Sequence, residues 1–188
     1  GMGYPVPRPN PGFAGWVTLA ALAQIGGQAL LIQMFSHRNF TVGTAYSRTE
    51  PAQAALFGLI FLGDRLNAGT LVAIAISLVG VVLISVARSA SGAPALLRSV
   101  FSRTSALGLA SGTFFGIAAV GYRGASLSLD GPNFMMQAAV TLLAAIVLQS
   151  VILLVWMWLR GPGELSRVRA AWKISALVGL VGATASFG

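Results

Sequence analysis

Long apolar runs broken by short polar turns dominate the chain. A bilayer-spanning helix needs about 20 predominantly apolar residues, and six stretches approach that length. They run over Phe13–Phe35, Phe40–Leu62, Thr70–Ala87, Thr104–Tyr122 and Phe134–Leu159, with a sixth starting near Trp172. The alternating ten-residue pattern of a membrane β-barrel is missing, so the spans are expected to be helices, with no β-structure. Residues His37–Asn39 barely make a turn, which predicts a tight hairpin between the first two spans. Gly63–Gly69 is a second tight turn. Arg88–Arg103, rich in Ser, Gly and Arg, reads as a linker between two halves. The fold class is therefore an all-α membrane protein, a polytopic helical bundle of about six transmembrane helices.

Composition agrees with the pattern. Of 188 residues, 56% are hydrophobic and only 9% charged, where a soluble domain carries about 25% charged residues. The mean hydropathy is +0.81. Cysteine is absent and His37 is the only histidine, which excludes thiol chemistry and Cys- or His-cluster metal sites. The carboxylates are Glu50, Asp64, Asp130 and Glu164, none near another in sequence. No phosphate loop or dinucleotide-binding glycine fingerprint is present. Neither an enzyme nor a bound cofactor is expected. The net charge of +8 comes from basic residues flanking apolar spans, where they set orientation and meet anionic lipid rather than nucleic acid.

The second span carries the polar chemistry. Its centre falls near Pro51, which puts Arg48, Glu50 and Pro51 near the bilayer midplane, where a charge costs several kcal/mol or more. Pro51 is the only one of eight prolines inside an apolar span. It lacks an N–H, so a kink is expected there, with the Ser47 carbonyl left free. Helical spacing puts Tyr46, Ser47, Glu50 and Gln53 on one face. Gln24 and Gln28, one turn apart in the first span, are placed to face that stripe across the hairpin. Bland readings compete: Arg48 snorkels toward the His37–Arg38 end, Glu50 is a neutral structural group, and the glutamines are interhelical glue. Thr113, Gln137 and Thr141 are further candidate polar liners. Gly108, Gly112 and Gly116 form a repeated GxxxG that favours close helix packing. Trp156 and Trp158 fit an interfacial aromatic belt, and Asp64–Arg65 a turn.

The ends read as cut. Pro5, Pro7, Pro9 and Pro11 make an extended connector rather than a signal peptide, and the last span stops 15 residues after Lys173. An internal piece of a longer membrane protein is expected. Trp16 and Gly26 are echoed 156 residues later by Trp172 and Gly182. That offset holds about five spans, an odd number that would invert the second copy, as in many transporter folds.

The run AYSRTEPAQAALFGLIFLGDRLNAGTLVAIAISLVGVVLIS over Ala45–Ser85 resembles the EamA-type branch of the drug/metabolite transporter superfamily. The family pattern is a mid-helix Pro, an apolar run, Gly–acid–x–Leu, and a helix ending in Gly and aliphatics. Here these are Pro51, Gly63-Asp64-Arg65-Leu66 and Gly80-Val81-Val82, with Asp64 where the family usually has Glu. Such proteins are ten-helix transporters built from two inverted five-helix repeats. The resemblance implies that residues 1–87 hold helices three to five of the first repeat and 88–103 the link. It implies that 104–188 hold helices one and two, and part of the third, of the second repeat. A basic residue often found in the second helix of each repeat has no clear match; Gln137 is the nearest. The implied activity is secondary transport, often export, of a small metabolite or drug-like compound by alternating access in the cell membrane. Glu50 would be the carboxylate linked to a coupling ion such as a proton, or to a substrate cation. A non-transporting structural or sensory membrane module is the alternative.

Overall fold

The computed structural model describes residues 8–36, 49–63, 67–88, 103–130 and 133–187. Seven helices stand among the described residues: α1 (Pro11–Phe35), α2 (Glu50–Leu62), α3 (Ala68–Arg88), α4 (Arg103–Leu127), α5 (Phe134–Arg160), α6 (Pro162–Ala170) and α7 (Trp172–Phe187). Three of them, α1, α4 and α5, are long and apolar enough to cross a membrane. The protein is an all-α membrane bundle in which most helix bounds follow the apolar runs; α2 is an exception, its first helical residue being Glu50 after a turn at Thr49, and two further expectations are corrected. The connection after α5 is itself helical, because Pro162 starts α6 in its first turn. The expectation of no β-structure also fails, since β1 (Arg8–Pro9) pairs antiparallel with β2 (Leu129–Asp130), Arg8 opposite Asp130 and Pro9 opposite Leu129. Two-residue strands leave no periodicity to read in a sequence. The linker expected over Arg88–Arg103 and the Asp64–Arg65 turn lie, apart from the two flanking arginines of the linker, outside the described residues.

This strand pair fixes where α1 begins. Asn10 donates its backbone N–H to the Ser128 carbonyl at 3.1 Å. Its side chain caps α1 by accepting from the Gly12 N–H at 2.9 Å. Pro11 then sits in the first turn, where a missing N–H costs nothing. From the other side, the Gln137 amide donates to the Leu129 carbonyl at 2.6 Å. One polar clasp thus joins the start of α1, the end of α4 and the start of α5.

The chain forms two compact units, Gly1–Ile146 and Val147–Gly188. In the first, α4 is the central helix, with α1 and α2 both packed on it. The reason is its small residues. Gly108, Gly112, Gly116, Gly121 and Gly124 are all buried. The α1–α4 seam is antiparallel and reciprocal. Trp16 and Ala20 of α1 lie over Gly124 and Gly121, while Phe114 and Phe115 of α4 lie over Gly26 and Gly27. Gly116 takes the α2 backbone at Gln53–Ala54. Such contacts replace the hydrophobic driving force that lipid cannot supply. Across the seam the buried Ser111 hydroxyl donates to the Gly27 carbonyl at 2.9 Å. Ser111→Ala should lower the midpoint of thermal unfolding in detergent modestly, at a cost of roughly 0.6–1.7 kcal/mol; an unchanged midpoint would show that the bond contributes nothing.

The second unit holds the end of α5 with α6 and α7. Trp158, Leu159, Trp172 and Ile174 are all exposed, as lipid-facing or interfacial side chains are. Arg160 lies 4.8 Å from the centre of the Trp156 ring, and the Lys173 amine 6.0 Å from that of Trp172. Cation–aromatic pairs at these helix ends fit the water–lipid boundary.

Candidate functional site

The polar stripe expected at mid-membrane becomes the N-terminus of α2. Thr49 is a turn residue and the N-cap, and Pro51 falls in the first turn. The anticipated kink is thus a helix start, in which the Thr49 carbonyl accepts from the N–H groups of Ala52 and Gln53 at 3.1 and 3.2 Å. Tyr46, Ser47 and Arg48 lie outside the described residues, and with them the Ser47 carbonyl. Glu50 is half-buried at the positive end of the α2 dipole, which favours a carboxylate. Thr49 is buried. The Gln53 amide donates to the Thr49 hydroxyl at 2.7 Å, while the Gln53 carbonyl Oε1 is buried with no partner among the described residues. That orphan acceptor sits where the α2 backbone crosses Gly116.

Gln24 and Gln28 do not face this group as a hairpin would place them. α1 and α2 each pack on α4 and have at most marginal contact with each other. Glycine recesses on α4 admit both helices more closely than two glutamine-bearing surfaces would meet. Gln24 is half-buried and Gln28 exposed. Thr113 donates to the Leu109 carbonyl of its own helix at 2.9 Å, a common resting place for a membrane threonine. Gln137 belongs to the clasp.

Thr141 does line a cavity. A half-open void of about 500 Å³ lies between the C-terminal part of α4 and the first turns of α5. Its walls are mainly apolar, with Leu127, Phe134, Ala138 and Leu142, and Arg123 and Tyr122 also contribute. Ser126 and Thr141 are also among its lining residues. Both residues are more than nine-tenths buried, and neither hydroxyl oxygen has a hydrogen-bond partner among the described residues. Glu50 is not part of this cavity. Ser126 was not legible as a candidate because Arg123 ends the apolar run at Tyr122, whereas α4 continues to Leu127. A small-residue helix continuing past a lone arginine was the available signal.

Residues 3–86 match the EamA-like transporter family. That segment is an EamA-like domain, and the chain is an integral membrane protein bearing it. No curated protein and no solved structure matches the chain. The EamA-like domain covers α1, α2 and nearly all of α3, so the polar α2 N-terminus lies within it.

Proposed function

We propose that the protein is a secondary transporter that moves a small metabolite or drug-like compound across the cell membrane, in the export direction, by alternating access. The observation that carries this reading is the Gln53 carbonyl, buried and unpartnered beside half-buried Glu50. An orphan acceptor inside an apolar bundle costs about 1–3 kcal/mol, and a purely structural seam would have no reason to keep it. Membership of residues 3–86 in a transporter family supports the same reading. Glu50 is the coupling carboxylate, with Gln53 and Thr49 shaping its surroundings and Arg48, Ser47 and Tyr46 preceding it in sequence. Residues 1–87 supply helices three to five of one repeat, and 104–188 open a second, inverted one. The antiparallel seam of α1 on α4 is the contact between the two repeats. The test is solute counterflow by the full-length protein in proteoliposomes, across a panel of metabolites. Saturable flux above that of empty vesicles is the expected result; none for any solute would leave a structural or sensory module.

Orientation follows from charge. One set of loops carries Arg38, Arg88, Arg98, Arg103, Arg160, Arg167, Arg169 and Lys173 against Glu164, while the other carries Arg8, Arg65 and Arg123 against Asp64 and Asp130. The basic-loop rule puts the first set in the cytoplasm. Because the chain has no cysteine, a Ser99→Cys substitution in the full-length protein gives a clean reporter. It should resist an impermeant thiol reagent in intact cells; labelling would place the basic side outside.

A further inference from the structure

We propose that α6 and the helix ends beside it form a docking surface for the anionic phospholipid headgroups of the bilayer. Such a surface is independent of transport and requires only that the chain spans the membrane. α5 is 27 residues long, about 40 Å at 1.5 Å per residue, against a hydrocarbon core of about 30 Å. A helix that long reaches past the hydrocarbon, and the exposed Trp156, Trp158 and Arg160 mark its C-terminal end as one that meets the headgroups. Gly161 then ends it. The Gly161 N–H donates to the Met157 carbonyl at 3.2 Å, and its φ of 138° is one that glycine adopts without strain. The chain restarts as α6, whose nine residues are too few to cross a bilayer. Ala171 closes α6 with its N–H on the Arg167 and Val168 carbonyls, and Trp172 opens the apolar α7 directly after it. α6 is thus held between two apolar helix ends at one face of the membrane.

Charge and apolar surface are interleaved here. Between positions 160 and 173 four cations, Arg160, Arg167, Arg169 and Lys173, stand against the single carboxylate Glu164, a net charge of +3. Arg167 has an interaction of its own, yet one carboxylate cannot neutralise four cations, so the segment stays positive whichever of them it meets. Arg160 and Lys173 lie over the rings of Trp156 and Trp172. Both rings are neutral, so these contacts place the cations without cancelling their charge. Arg160, Arg169 and Lys173 are exposed, and so are their neighbours Leu159, Val168, Trp172 and Ile174. A soluble acidic partner would match the cations and leave that apolar surface unmet, whereas a lipid leaflet supplies anionic headgroups above hydrocarbon. Arginine and lysine stems bridge the two levels. Choline headgroups carry a compensating positive charge, so zwitterionic lipid gains little. At an anionic surface each Lys or Arg is worth about fivefold in affinity.

The test uses the full-length protein, delipidated in a neutral detergent. Labelled dihexanoyl phosphatidylglycerol and dihexanoyl phosphatidylcholine serve as probes, and protein-free micelles give the baseline. Equilibrium dialysis at low salt should show saturable binding of the glycerol lipid, about tenfold or more tighter than that of the choline lipid. The gap should shrink as added salt shortens the reach of the charges. Arg160→Gln, Arg169→Gln and Lys173→Gln together should erase the preference, a loss of roughly tenfold or more. They should leave the melting temperature and the binding of the choline lipid as in the parent. Arg88→Gln, Arg98→Gln and Arg103→Gln together remove the same charge elsewhere and should keep the preference. No preference for the anionic lipid, a preference that survives the first triple variant, or one lost equally in the second would each overturn the proposal; the last would mean a diffuse attraction of the whole basic side. Displacement of the lipid by polyglutamate at matched charge would also overturn it and make the surface a dock for an acidic protein segment. Solute flux enters none of these outcomes, so loss of the transporter reading would leave the lipid surface standing, and loss of the lipid preference would leave that reading untouched.

Discussion

Glu50→Gln in the full-length protein should abolish or uncouple transport while leaving expression and membrane insertion close to those of the parent. The change keeps the side chain's shape and removes its ability to carry a charge or a proton. Its structural cost is limited to the interaction of a carboxylate with the α2 N-terminus, about 0.3–1 kcal/mol at such positions. Its functional cost is larger in kind. A coupling group must take a proton in one part of the cycle and release it in another, and an amide does neither. Solute flux driven by a pH gradient should fall to background, and residual exchange should lose its pH dependence. Pro51→Ala is the contrasting variant. Pro51 occupies the first turn of α2, where proline lacks only an N–H that no helical carbonyl would have received. Its replacement should therefore impair transport far less. Normal flux with an unchanged pH profile in Glu50→Gln would make Glu50 a helix-end carboxylate and nothing more.

The second large effect is on folding. Gly121→Ala should sharply lower the melting temperature in detergent, and Gly121→Leu should prevent recovery of folded protein. A Cβ at Gly121 would stand 2.9 Å from the Ala20 Cβ and 3.1 Å from its Cα. The obstacle is backbone and a methyl group, neither of which can rotate away, so the helices must separate along the seam. Overpacking of this kind typically costs about 1–3 kcal/mol. Gly124→Ala meets the Trp16 ring at 2.7 Å and should be comparably harmful, because that ring lies flat across the glycine's recess. Gly15→Ala supplies the control, since nothing lies within 4 Å of its added Cβ. There the substitution only improves helix propensity, and the melting temperature should hold or rise. Equal, small effects at Gly15 and Gly121 would disprove the close approach of α1 to α4.

Close packing on α4 was foreshadowed by Gly108, Gly112 and Gly116, because a glycine triplet at helical spacing predicts close approach without saying against what; Gly116 meets α2, while α1 is seated on Gly121 and Gly124. The partners were not legible. That α4 would seat Trp16 and Ala20 at one end and Phe114 and Phe115 against Gly26 and Gly27 at the other depends on register between segments about a hundred residues apart. The hairpin logic that brought Gln24 and Gln28 to Glu50 failed for a related reason. Chain neighbours are the default packing partners only when no smaller-profiled helix competes for the same face.

Among the candidate site residues, the sequence singled out Glu50 and Gln53 by their shared helical face and Thr141 by residue type, as polar groups in apolar runs. It had no means of showing that the Gln53 amide is spent on Thr49 while its carbonyl is left over, or that Thr113 is satisfied within its own helix. Ser126 was hidden by Arg123, since hydropathy ends a span at a charge whereas a helix at a membrane boundary continues through it.

The sequence by itself determined that this is a helical membrane protein and where most of its helices run. Burying an apolar chain in lipid forces the backbone to satisfy itself within each span, which makes hydropathy nearly sufficient for that purpose. The same sequence carried the EamA-like pattern, in which Pro51 and Gly63 mark the start and end of α2, set locally. The tertiary structure alone decided that α4 is the hub, that the α4–α5 cavity exists, and which polar groups remain unpartnered. These depend on which helix faces meet, and in lipid that choice is settled by the fit of glycines to rings and of hydroxyls to carbonyls between distant segments rather than by any local preference.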